Sequence, residues 1–84
     1  MNSVIITDEF GRVTSDRIIK VDYDGGSNPV YIGEAKPGTA TSEKGWRIKK
    51  ISWDASNNPT EVLWANGSNA FAFVWDDRAS YSYS

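Results

Sequence analysis

Turn-forming residues interrupt this chain about every eight to twelve positions, the spacing of an all-β fold assembled from short antiparallel strands. Asp8-Glu9-Phe10-Gly11 separates a first apolar run, Val4-Ile5-Ile6, from a second spanning Arg17 to Tyr23. Asp24-Gly25-Gly26-Ser27-Asn28-Pro29 then breaks the chain before Val30-Tyr31-Ile32, and a polar loop, Lys36 to Lys44, follows. Trp46 to Trp53 reads as the next strand, with Thr60 to Ala65 as its hairpin partner. Asn66-Gly67-Ser68-Asn69 turns into Phe71 to Trp75. Ala79 to Ser84 closes the chain with Tyr81 and Tyr83 in alternation, the period-2 mark of a strand with one covered face. The expectation is a small antiparallel β-sandwich or barrel of about six to seven strands. Residues 1–15 form an N-terminal arm or first strand, and residues 16–84 a single β domain.

An internal repeat sharpens that expectation. Shifted by thirty positions, Arg17, Ile18, Lys20, Asp24, Asn28, Pro29 and Ala35 fall on Arg47, Ile48, Lys50, Asp54, Asn58, Pro59 and Ala65, while Val21 and Tyr23 fall on Ile51 and Trp53. Chance supplies roughly one identity in such a window, so residues 17–40 and 47–70 read as two versions of one hairpin unit, by duplication or by convergence on one turn. In each turn the Asp carboxylate can accept from backbone N–H groups two residues on, and Gly or Asn can take up positive φ. Pro29 and Pro59 then open the return strands, where a missing N–H is tolerated at a strand start or a sheet edge.

Two segments carry a conflict of pattern. Trp46 and Ile48 share one strand face, whereas Ile51 and Trp53 share the other, so the apolar phase flips across Lys49-Lys50. Either a β-bulge at Lys49-Lys50 returns both pairs to one side, or the strand is covered on both faces, as in a packed assembly. Phe71, Val74 and Trp75 fit one face of a helical turn, with Ser68 or Asn69 as its cap. Phe71, Phe73 and Trp75 equally fit one strand face, and the strand is the preferred reading.

Eighty-four residues allow one domain with one small core. Small domains usually supplement such a core with disulfides, a metal or a partner subunit. The chain has neither Cys nor His, which leaves a partner subunit as the expected supplement. Four Trp, four Tyr and three Phe are a large aromatic load for so small a core, since each buries roughly 150–250 Å². Trp46, Trp53, Trp64, Trp75, Tyr81 and Tyr83 are therefore the candidate contact residues. Asp24, Asn28, Pro29, Asp54, Asn58 and Pro59 are the structural turn residues.

The same composition argues against catalysis. Without His or Cys there is no imidazole base, no thiol nucleophile and no His to activate any of the serines. Asp76-Asp77 are sequence neighbours that a strand would point to opposite faces, a poor acid–base pair. Asp22-x-Asp24-x-Gly26 starts like a calcium loop, but its Gly comes one place early and no Glu holds the twelfth position. Gly25-Gly26 lacks the spacing and Lys of a phosphate loop. Asn66-Gly67-Ser68 matches a glycosylation acceptor only formally, because the N-terminus is too short and too acidic for a signal peptide. No cofactor and no metal are expected. A net charge of −2 without a basic face gives no nucleic-acid footprint, and no apolar run approaches the ~20 residues of a membrane helix.

A resemblance enters over residues 30–84. Val30-Tyr31-Ile32-Gly33-Glu34-Ala35, Pro37-Gly38-Thr39-Ala40-Thr41-Ser42 and Trp46-Arg47-Ile48-Lys49-Lys50-Ile51, followed by Leu63-Trp64-Ala65-Asn66-Gly67 and Val74-Trp75-Asp76-Asp77-Arg78-Ala79-Ser80-Tyr81-Ser82-Tyr83-Ser84, resemble a group of small proteins encoded by tailed bacteriophages. Members of that group are generally described as uncharacterised or virion-associated. The resemblance implies a structural or accessory virion protein, assembled in the host bacterial cytoplasm, that contacts other virion proteins and copies of itself as a homo-oligomer. Capsid decoration, the head–tail junction and tail or fibre attachment are its candidate places, and the N-terminal segment is its candidate lacing arm. The alternatives are a carbohydrate- or receptor-binding β module, in which the Trp rings stack on glycan, and a small phage inhibitor of a host protein.

Overall fold

The computed structural model describes residues 16–84 in full, together with the backbone of two short paired segments before them. Those segments, β1 (Ile6–Thr7) and β2 (Val13–Ser15), pair antiparallel with an irregular register. The turn expected at Asp8-Glu9-Phe10-Gly11, and the rest of the expected arm over residues 1–15, lie outside the described residues.

The main sheet is antiparallel, in the order β3 (Ile18–Asp22), β4 (Tyr31–Ala35), β5 (Lys44–Trp53), β6 (Pro59–Trp64). A short β7 (Phe73–Val74) pairs with the first half of β5. The strands are rich in β-branched and aromatic residues, and the intervening turns hold Gly, Asn and Pro, as strand and turn chemistry requires. Pro59 opens β6, an outer strand of this order, and Pro29 stands just before β4, so neither takes a ladder position that needs an N–H.

Positions thirty apart occupy equivalent register. Ile18 faces Ala35 across β3 and β4, and the Ala65 N–H donates to the Ile48 carbonyl at 3.0 Å. Val21 pairs with Ile32 just as Ile51 pairs with Val62. Both alanines are completely buried. The two turns lie at one end of the sheet and touch there: the Asn28 side-chain amide donates to Asn57 Oδ1 at 3.0 Å. Asp54 behaves as its sequence suggests, its Oδ1 accepting from the N–H groups of Ser56 (2.9 Å) and Asn58 (3.0 Å), with Asn57 at φ 64°. In the first turn the accepting carboxylate is Asp22, bound by the Asp24 N–H at 2.9 Å; Asp24 itself sits at φ 50°, ahead of Gly25 at 77°.

One face of the sheet carries the core. Tyr31, Ala35, Trp46, Ile48, Ala65 and Trp75 are buried together, and Ile18, Val30, Phe73, Tyr81 and Tyr83 pack against them. The lid over this face is the C-terminal segment. β7 leads into a 3₁₀ turn over Trp75–Ser80, and residues 81–84 run extended beside the end of β6, with Ala65 bridged to Tyr83. Phe71 to Trp75 is thus a strand only at Phe73–Val74. The strand expected from Ala79 to Ser84 gives way to the 3₁₀ turn as far as Ser80. Within residues 81–84 the alternation holds: Tyr81 and Tyr83 are half-buried while Ser82 and Ser84 are exposed. Two hydroxyls fix this lid, Tyr81 Oη accepting from the Val74 N–H (2.9 Å) and Tyr83 Oη donating to the Arg78 carbonyl (2.7 Å).

Candidate interaction surface

Side chains alternate across a strand, so the register assigns each residue of the main sheet to the lidded face or the opposite one. Gly33 pairs with Ile48 and Tyr31 with Lys50 on the lidded face; Glu34 pairs with Arg47 and Ile32 with Lys49 on the other. The ladder continues without interruption to Lys49–Trp64, Lys50–Leu63 and Ile51–Val62. No bulge interrupts Lys49-Lys50. The irregularities of β5 lie at its ends, between Ser52 and Trp53 and between Lys44 and Trp46. Trp46 and Ile48 therefore enter the core, while Ile51 and Trp53 point to the opposite side.

That opposite face is apolar across its width. Tyr23, Val21 and Ile19 from the β3 side, Ile32 from β4, Ile51 and Trp53 from β5, and Val62 and Trp64 from β6 share it. Ile19 is 62 % exposed, Val62 50 %, and Val21 and Tyr23 nearly as much. A single exposed valine is ordinary; a contiguous patch of aliphatic and aromatic side chains on one sheet face marks a contact site. Among the described residues, nothing covers it as the C-terminal lid covers the other side.

Charge is gathered toward one end of the face. Glu34 lies between two guanidiniums, hydrogen-bonded to Arg47 and 3.8 Å from Arg17. Both arginines stack on Phe71, at 4.7 Å for Arg17 and 4.8 Å for Arg47. Lys49 reaches over the Trp64 ring, its ammonium 5.7 Å from the ring centroid. Beyond this cluster, Arg17, Lys36, Thr39, Gly45 and Phe71 line an open depression of about 450 Å³.

The six candidate contact aromatics divide into three groups. Trp46 and Trp75 are core residues, a correction to their grouping among the candidate contact residues. Their centroids lie 5.8 Å apart, and the Trp46 indole N–H donates to the Ala40 carbonyl at 2.9 Å. Tyr81 and Tyr83 belong to the lid, against Phe73 (5.2 Å) and Tyr31 (5.8 Å). Burial, with the Tyr31 and Tyr81 hydroxyls close by, pushes the Tyr83 phenol up to about 12. Only Trp53 and Trp64 stand on the open face. Both are half-buried, and the Trp53 indole N–H is tied to the Pro29 carbonyl at 2.7 Å.

Sequence reasoning centred on rings missed the aliphatic members Ile19, Val21, Ile32 and Val62. A signal for Val21 was present twice: Ile18 and Val21 differ by an odd number of positions, as do Ile48 and Ile51, so in both repeat units the two apolar residues must leave the strand on opposite sides.

The acidic residues are committed to structure. Asp22 holds Arg78 at 2.7 Å, and its carboxyl lies below the usual range, chiefly through the Asp24 N–H and then through Arg78. Arg78 in turn covers the Trp75 ring at 4.6 Å and donates to the Trp75 carbonyl at 3.1 Å. Asp54 is lowered first by the Asn58 N–H. Asp76-Asp77 sit in the 3₁₀ turn rather than on a strand, and both are exposed. Among the described residues no group of three His, Cys, Asp or Glu is placed to hold a metal ion, and no helix is long and apolar enough to cross a membrane. Compared with protein-family models, curated proteins and solved structures, the chain matches none, and the role of its open face is to be argued from the residues that form it.

Proposed function

We propose that this chain is a non-enzymatic structural or accessory component of a tailed-phage virion and acts through protein–protein contacts. The observation that supports contact as its mode of action is the open sheet face, where Ile19, Val21, Ile32, Ile51, Trp53 and Val62 lie together on the side away from the C-terminal lid. The phage context comes from the resemblance over residues 30–84. On this reading the main sheet is one layer of a β-sandwich, and its second layer comes from a neighbour in the assembly. The test is quantitative mass spectrometry of gradient-purified particles of the encoding phage. The expected result is this chain at many copies per particle; abundance in infected cells with absence from particles overturns the proposal and favours the inhibitor role.

One observation favours a second reading, glycan binding. Trp53 and Trp64 are half-exposed on the same face, where indoles could stack on sugar rings. Titration of bacterial surface polysaccharides against intrinsic Trp fluorescence tests it: a saturable shift supports it, and a flat response across a broad panel removes it.

A further inference from the structure

We infer that the open face is a self-association surface, on which a second copy of the chain packs sheet against sheet to make a two-fold symmetric β-sandwich. This deepens the contact reading above by naming the occupant.

Size is the first support. Four strands about 4.8 Å apart, over some six residues of about 3.3 Å rise, give a footprint of roughly 19 by 20 Å. The accessible surface of corrugated side chains exceeds that projected area. Two such faces closing at the usual sheet separation of about 10 Å remove on the order of 1,000 Å² in total, the lower end of the range for a biological interface and the size class of a weak pair.

Charge complementarity is the second. Take a two-fold axis parallel to the strands, lying between the two sheets and midway between β4 and β5. It sets β4 of one copy over β5 of the other. Glu34 and Arg47 are direct cross-strand neighbours on that rung, so each Glu34 comes to lie over the second copy's Arg47. Lys49, one rung along on the same face, is within reach of the same carboxylate. Val21 lies over the second copy's Trp64, and on the same rung Ile32 lies over its Lys49. The arrangement joins acid to base at one end of the interface, apolar to apolar at its flanks, and aliphatic side chain to lysine stem between them. The usual sandwich angle of about −30° leaves this central register in place.

The test is sedimentation velocity of the full chain over a wide concentration range, beside circular dichroism and Trp fluorescence to confirm folding. Wild type is expected to dimerise. Val62→Asp is expected to remain folded and monomeric, because it places a charge among the apolar side chains of the open face, on the outer strand β6, without touching the core. Glu34→Arg and Arg47→Glu each put like charges over one another and raise the dimer dissociation constant by about tenfold or more. Mixed together, these two variants restore opposite charges only between copies, so a heterodimer that forms where neither homodimer does identifies the intermolecular pairing. A wild type that stays monomeric overturns the inference, as does a dimer indifferent to Val62→Asp and to both charge variants. Particle composition separates the two levels. A monomer present in virions leaves the virion role standing with another protein on this face, whereas a dimer absent from virions removes that role and leaves the self-association.

Discussion

Gly33 lies directly beneath the Trp75 indole: a β-carbon on it would fall 2.5 Å from Trp75 Cε3 and 3.1 Å from Trp46 Cε3. Both rings use this gap in β4 to approach the backbone, and the neighbouring inward position, Ala35, is small for the same reason. Gly33→Ala is therefore expected to destabilise the fold by about 1–3 kcal/mol through overpacking, although alanine suits a strand better than glycine does. Thermal or urea unfolding checks it, and near-ultraviolet circular dichroism should show the altered indole environment.

The two faces of the main sheet should respond differently to truncation. Ile48→Ala removes a completely buried side chain and is expected to cost about 2–5 kcal/mol. Val62→Ser and Ile19→Ser, on the open face, are expected to stay within about 0.5 kcal/mol of wild type at concentrations where the chain is monomeric. Denaturant titrations at low micromolar protein, with matched m-values, measure the contrast.

Alkali should loosen the C-terminal lid. The Tyr83 phenol is neutral in the folded chain up to about 12, against about 10 for a free tyrosine, so the folded state binds the proton more tightly than the unfolded one does. The resulting stability is complete below about pH 10 and is lost as pH rises toward about 12. Tyr83→Phe is expected to flatten this alkaline fall while lowering stability at neutral pH, since it removes the hydrogen bond to Arg78. Thermal scans between pH 8 and 12 on both proteins give the comparison.

Acid acts at the opposite end of the scale and at the sheet's turns. The Asp22 and Asp54 carboxyls are lowered from 3.8, so each stabilises the fold above that value and ceases to do so as pH falls through its folded-state pKa. Asp54→Asn and Asp22→Asn are expected to lower the melting temperature at pH 7 and to reduce the difference between pH 7 and pH 3. Asp24→Gly is expected to leave stability near wild type, because among the described residues the Asp24 carboxylate accepts no backbone hydrogen bond and its positive φ suits glycine.

The strands and turns were legible because the residues that make them act locally. Period-2 patterning placed β3 to β6 to within a few residues, and Asp54, Asn58 and Pro59 announced their turn. The thirty-residue repeat also carried the register, because equal spacing between paired positions yields equal pairing. Burial was less legible. Trp46 and Trp53 flank the same strand, one sealed in the core and the other on the open face, and only the position of the C-terminal lid decides which face is inside. Nothing local in Trp75-Asp76-Asp77-Arg78 announces that Arg78 will reach back to Asp22, 56 residues away in sequence, and so hold a 3₁₀ turn where strand patterning continues. The open face was visible only as an unresolved phase flip, because its aliphatic members come from four strands that are far apart in sequence.

The equivalent pairing of the two hairpins has a consequence for how the sheet is stabilised. A lone two-stranded ribbon of this length is marginal in water, whereas three or more strands with an apolar side hold together. Pairing two such ribbons side by side crosses that line, and the amide clasp from Asn28 to Asn57 ties their turns together at one end.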